Sequence, residues 1–93
     1  MWNYDEEVLV QDEVEVIAIE ESKLIVYNDD VNTFDHVTET LVEICEHTSE
    51  QAEQCTLIIH YKGKCTVKMG EFDELVGMRN AICNRGISAE VEK

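Results

Sequence analysis

From Lys23 onward the chain divides by the spacing of its apolar positions. Leu24, Ile25, Val26 and Tyr27 form a run rich in β-branched and aromatic residues, which predicts a first strand over Lys23–Asn28. Asn28–Thr33 then has the turn chemistry that ends it. Phe34, Val37, Leu41, Ile44 and Cys45 recur at helical spacing behind Asn32 or Thr33, either of which can cap a helix. Thr48 with Gln51 three residues on makes a capping box for a second helix, predicted to run to about Tyr61 with Ala52, Cys55, Ile58 and Ile59 as its stripe. Gly63 closes that helix. Lys64–Met69 alternates, with Cys65, Val67 and Met69 on one face and Lys64, Thr66 and Lys68 on the other. A third helix is predicted over about Glu71–Asn84, with Phe72, Leu75, Val76, Ile82 and Cys83 inward and Gly86 as its stop. Ile87, Ala89 and Val91 alternate with Ser88, Glu90 and Glu92 in a last strand.

The order is strand, helix, helix, strand, helix, strand. An α+β fold follows: a small three-stranded antiparallel sheet with helices packed on one face. At 93 residues the chain has room for one domain, assigned to 23–93. Residues 1–22 hold eight of the 21 acids and no base. Val14-Glu15-Val16 begins an alternation that would suit an edge strand, but eight like charges repel each other and favour a flexible acidic arm.

Charge narrows the partners. The net charge of −14 makes nucleic acid and anionic membrane poor partners, since phosphate binding needs a basic patch. A basic or amine-bearing protein suits it better. No apolar run reaches the length of a membrane span, and the N-terminus is acidic where a signal peptide needs positive charge, so cytoplasmic residence is expected. Cys45, Cys55, Cys65 and Cys83 include no Cys-x-x-Cys pair; they are expected as free, mostly buried thiols rather than a zinc site or a disulfide framework.

Catalysis finds little support. Asn28, Asp29, Asp30, His36, His47 and His60 are the clustered polar candidates, and no nucleophile turn, His-Glu-x-x-His or phosphate loop accompanies them. No enzyme activity, cofactor or metal is expected. On residue type alone, Asn28-Asp29-Asp30 reads as a strand end and helix cap. His60 reads as a helix-end His satisfied by a carbonyl, and His36 and His47 as solvated helix residues. Together, though, the amide, the carboxylates and His60 would suit a cation such as a protonated amine.

A resemblance sharpens this. Val26-Tyr27-Asn28-Asp29-Asp30, Val37 through Leu41, Gln51-Ala52-Glu53-Gln54 and above all His60-Tyr61-Lys62-Gly63-Lys64 resemble the core domain of the ClpS family, adaptors of Clp AAA+ proteases. The resemblance covers roughly three quarters of the chain, from about Leu24, and weakens after Met69. It implies a β-α-α-β-α-β fold and recognition of proteins by their first residue, a free α-amino group followed by Leu, Phe, Tyr or Trp. The substrate would then pass to a Clp AAA+ ATPase (ClpA- or ClpC-type) through that ATPase's N-terminal domain. In the amine clamp it implies, Asn28 bonds the terminal backbone, Asp29 supports the ammonium, His60 accepts from it and Asp30 holds the loop. Asn32, Phe34, Val37, Thr56, Ile59 and Ile87 would line an apolar slot between the first two helices. Phe34 and Thr56 stand where the family usually has Met, and Asn32-Thr33 replaces a common Thr-Pro. Two other roles fit the same fold: a docking module that modulates the ATPase without reading first residues, and a dimer joined at a strand edge.

Overall fold

The computed structural model describes residues 21–93, so the expectations for residues 1–20, including the acidic arm, lie outside the described residues. Its central strand, β1 (Ser22–Tyr27), is antiparallel to β2 (Lys64–Gly70) on one side and β3 (Ala89–Glu92) on the other, in the order β2-β1-β3. Ser22, grouped with the arm on sequence, is a buried strand residue. Leu24 and Val26 point into the core, and Ile25 between them is buried as well, which explains the unbroken apolar run.

Three helices supply the other layer: α1 (Phe34–Cys45), α2 (Ser49–Lys62) and α3 (Phe72–Asn84). Leu41, Cys45, Ala52, Ile59, Leu75 and Ile82 bring their buried faces together over Leu24, Val26 and Val67. This is the α+β order expected from the sequence. Among the described residues no helix is long and apolar enough to cross a membrane.

Local chemistry sets the helix ends. Thr33 caps α1, its hydroxyl accepting from the His36 N–H at 3.1 Å. Thr48 and Gln51 form the reciprocal capping box at the start of α2. Gly63 ends α2 at φ 93°, a left-handed conformation that glycine adopts without a Cβ clash.

The connection between α1 and α2 is only Glu46, His47 and Thr48, so the helices return as a tight antiparallel pair. Glu46 takes φ 60°, and its N–H closes on the Leu41 carbonyl. His47 was expected on a solvated helix; it is instead buried in this connection. Its Nε2–H donates to the Val67 carbonyl at 2.7 Å, tying the helical hairpin to β2. That bond leaves Nδ1 as a buried acceptor without a partner among the described residues. Lys68 adds a second tie, donating to the Cys45 carbonyl at the C-terminal end of α1 at 3.0 Å.

Several apolar assignments are corrected. The register between β1 and β2 shifts between Leu24 and Ile25, leaving Val67 as the extra residue on β2. That bulge breaks the simple alternation, and Met69 emerges 51% exposed rather than inward. Ile58 is exposed while Thr56 is buried, so the inner face of α2 is Ala52, Thr56 and Ile59. Phe72 is exposed at the start of α3, where Lys93 Nζ sits 4.7 Å over its ring. All four cysteines are free, but only Cys45 is fully buried. Burial pushes the Cys45 thiol up to about 11, against the opposing charge of Lys68. Burial and the neighbouring Cys55 push Cys65 up to about 12.

Replacing His47 by Ala removes the bond to Val67 and opens a small void. The expected loss is about 1–3 kcal/mol of folding stability, read from a denaturant midpoint. An unchanged midpoint would mean that the helical hairpin does not depend on this tie.

Candidate functional site

The end of β1 and the end of α2 meet because the β1–β2 ladder, paired as far as Tyr27 and Lys64, runs on by one backbone bond. The Asn28 N–H, just past β1, donates to the Gly63 carbonyl at 2.9 Å, just past α2. Since Gly63 closes the helix that carries His60, this bond places Asn28 beside the last turn of α2. His60 is exposed there, with its ring edge-on to Tyr61 at a centroid separation of 4.9 Å.

The loop from Asn28 to Thr33 is organised by Asp29. Its Oδ1 accepts from the N–H groups of Val31 at 3.0 Å and Asn32 at 3.1 Å, an Asx-type turn. The Asn32 amide also donates to Oδ1 at 2.9 Å, to Oδ2 at 3.0 Å and to the Gly86 carbonyl at 2.8 Å, tying the loop to the turn after α3. A second tie runs nearby, from His36 Nε2 to the Arg85 carbonyl at 2.9 Å, so His36 is half-buried rather than solvated. Partial burial would raise the Asp29 pKa, but the hydrogen bonds from Asn32 and Val31 outweigh it and hold the carboxyl below its ordinary 3.8. A lowered carboxylate pKa stabilises the loop fully above the ordinary value and ceases to do so as pH falls through the lowered one. At neutral pH the charge and the loop geometry are both present.

Asp29 is therefore the hub of this loop, and Asp30 is exposed beside it. The resemblance implied that Asp30 holds the loop, but among the described residues no hydrogen bond involves the Asp30 side chain. Among the described residues Asp29 Oδ2 accepts from Asn32 alone, which leaves it one lone pair.

Between α1 and α2 lies a cavity of about 360 Å³. Asn28, Asn32, Thr33, Phe34, Val37, Thr56, Leu57, Ile59, His60 and Tyr61 line it. Val37, Thr56 and Ile59 are its buried members and form the floor; Phe34, 41% exposed, stands at the mouth. The helices are antiparallel, so the start of α1 and the end of α2 share that mouth. One turn below it, Thr38 Oγ1 donates to Thr56 Oγ1 at 2.9 Å, and Thr56 donates to the Ala52 carbonyl at 2.7 Å. Such a site offers an apolar slot under a polar rim.

Of the residues singled out on sequence, Asn28, Asn32, Phe34, Val37, Thr56, Ile59 and His60 line this one cavity. Asp29 and Asp30 stand outside its wall, and Ile87, 3% exposed, belongs to the core instead. Sequence reasoning missed Leu57, Tyr61 and Thr33 as lining residues. The spacing of Leu57, His60 and Tyr61, three and four apart on α2, was the available signal for one shared face. Among the described residues no group of three His, Cys, Asp or Glu side chains could hold a metal ion.

Residues 19–89 match the family model described as "ATP-dependent Clp protease adaptor protein ClpS". The chain is similar to the ATP-dependent Clp protease adapter protein ClpS of Nitratidesulfovibrio vulgaris, 35% identical over 60 residues, which cover 64% of this chain and 56% of that one. It is also 47% identical over 49 residues to the ClpS adapter of Nostoc sp., covering 52% of this chain and 50% of that one. The chain thus spans about half the length of the curated relatives it matches. Among solved structures, Agrobacterium tumefaciens ClpS2 bound to L-phenylalaninamide shares the fold with a TM-score of 0.72 at 19% identity, covering 78% of this chain and 95% of that one. On the strength of a family match that takes in β1, all three helices and β2, this chain belongs to the ClpS family.

Proposed function

We propose that this protein is an adaptor that binds the free α-amino group and bulky apolar first side chain of a substrate protein and hands that substrate to a Clp AAA+ ATPase. The cavity between α1 and α2 carries this reading: Val37 and Ile59 make its floor mostly apolar and its rim holds Asn28 and His60. The related ClpS2 binds L-phenylalaninamide, a molecule with one free amine and one benzyl side chain.

A terminal ammonium has three donors and one charge, so it needs acceptors and an anion. The Asn28 amide oxygen and a neutral His60 nitrogen serve as acceptors. Asp29, ionised beside the rim, supplies the charge and one unused lone pair on Oδ2. The first side chain then enters the slot over Val37 and Ile59. Burying a Leu or Phe side chain contributes about 1.5–3 kcal/mol. An internal Phe lacks the amine, and a first-residue Lys would carry an unpaired charge into an apolar slot. Only the combination satisfies both halves of the site. The bound protein is delivered through the N-terminal domain of a ClpA- or ClpC-type ATPase, and the acidic residues 1–20 act in that delivery rather than in peptide binding.

Calorimetry with a peptide beginning with Phe and its N-acetylated copy tests the amine requirement. Acetylation should weaken binding by at least about 1.5 kcal/mol, the scale of a hydrogen bond to a charged group. Equal affinities, or no binding of either peptide, would favour a docking module that modulates the ATPase without reading first residues.

Two substitutions separate the roles of Asp29. Asp29→Ala removes both charge and loop hub and should weaken the Phe peptide by at least about 1.5 kcal/mol while the fold survives. Asp29→Asn keeps a side-chain oxygen for the Val31 and Asn32 N–H groups and removes the charge. Affinity near wild type in Asp29→Asn would mean that only the loop geometry is used.

A chain beginning at Glu21 should bind the Phe peptide as the full chain does and fail to speed its degradation by the Clp ATPase and protease. Full-rate delivery by the shortened chain would leave the acidic residues no part in hand-over.

A further inference from the structure

The floor of the slot is not wholly apolar. Thr56 is 3% exposed, lines the cavity and carries a hydroxyl with one donor and two acceptor sites. The donor is spent on the Ala52 carbonyl at 2.7 Å, and one acceptor site is filled by Thr38 Oγ1 at 2.9 Å. One lone pair remains. Thr38 is itself four residues from Phe34 on α1, so the Thr38–Thr56 bond crosses between the helices one turn below the mouth.

The depth matches a particular ligand. Thr56 precedes His60 by four residues on the same face of α2, a separation of about 6 Å along the helix axis. A side chain that lies along α2 from an α-amine held at His60 spans the one turn to Thr56 with the far end of a phenol ring. A Leu side chain ends short of it, and a Phe ring arrives with a C–H. Either apolar occupant leaves the remaining lone pair unused, whereas a phenol tip fills it and adds one hydrogen bond. Sites that hydrogen-bond a substrate group discriminate against analogues lacking it.

Resting on the first-residue reading above, we propose that Thr56 is a specificity-determining residue whose hydroxyl accepts a hydrogen bond from the tip of the bound side chain. It selects first residues with a donor-bearing aromatic tip, Tyr foremost, over Phe and Leu. Val37, Ile59 and Phe34 are apolar and offer a phenol tip no hydrogen bond.

The test uses the full-length chain and four otherwise identical peptides beginning with Tyr, Phe, 4-methylphenylalanine or N-acetyl-Tyr, titrated by calorimetry. On the wild type, Tyr should bind about 3- to 10-fold tighter than Phe, as one net hydrogen bond allows. The 4-methyl peptide fills the same space without a donor and should bind no tighter than Phe. Thr56→Val keeps the branched shape and removes the hydroxyl, and should bring the Tyr-to-Phe ratio to about 1 or below. Thr38→Val frees the second lone pair of Thr56 and should keep the preference. The ligand series on wild type stands even where a variant fails to fold. Equal binding of Tyr and Phe, a 4-methyl peptide as tight as Tyr, or a ratio untouched by Thr56→Val overturns the role of Thr56 and leaves first-residue recognition intact. If N-acetyl-Tyr binds as well as Tyr, or if no peptide binds, first-residue recognition fails and this inference falls with it.

Discussion

The bond from the Asn28 N–H to the Gly63 carbonyl is the contact on which the site depends. It forms where β1 runs out and α2 has just ended, and it extends the β1–β2 ladder past Tyr27 and Lys64 to join two segments more than thirty residues apart. The carbonyl can point that way because Gly63 adopts a left-handed conformation. A residue with a Cβ would strain there, although nothing lies within 4 Å of the position a Cβ would take. The constraint is thus backbone conformation, not crowding. With it, an amide and an imidazole face the same opening.

The slot itself follows from the brevity of the α1–α2 connection. Three residues turn the chain, and the His47 bond to Val67 holds that turn against the sheet. The helices then cross with Thr38 and Thr56 bonded between them, and they are left apart at the mouth where Phe34 and His60 stand. A polar pair at that depth costs little, because each hydroxyl is satisfied within the pair or by the Ala52 carbonyl.

Charge is arranged in a similar economy. The Arg85–Glu43 pair is exposed at the surface and contributes little to stability. Asp29 carries more weight, because one carboxylate orders a loop through short-range bonds and also leaves a negative charge at the rim. The fold itself tolerates wide divergence: 19% identity with ClpS2 still gives a TM-score of 0.72.

Features set by neighbours in sequence were legible without a structure. The Thr33 cap, the Thr48–Gln51 box, the Gly63 stop and the order of elements each depend on residues within about one turn, where local chemistry decides the conformation. The run of Asn28-Asp29-Asp30 and the later His60 were visible too, and the family resemblance joined them. Tertiary contacts decided the rest. Periodicity gives the spacing of a stripe but not what lies opposite it, so Ile58 was placed inward and Thr56, whose hydroxyl is satisfied by α1, takes that place. The alternation that pointed Met69 inward holds only in an unbulged ladder, and the bulge belongs to the pairing with β1, not to β2 alone. His47 is polar and reads as solvated until a carbonyl of β2 arrives 2.7 Å away. Asp29 became the loop hub because the Asn32 amide reaches it while also reaching Gly86, more than fifty residues on. Local propensity depends on what a residue can do with its own backbone; burial and polar satisfaction depend on which distant group completes it.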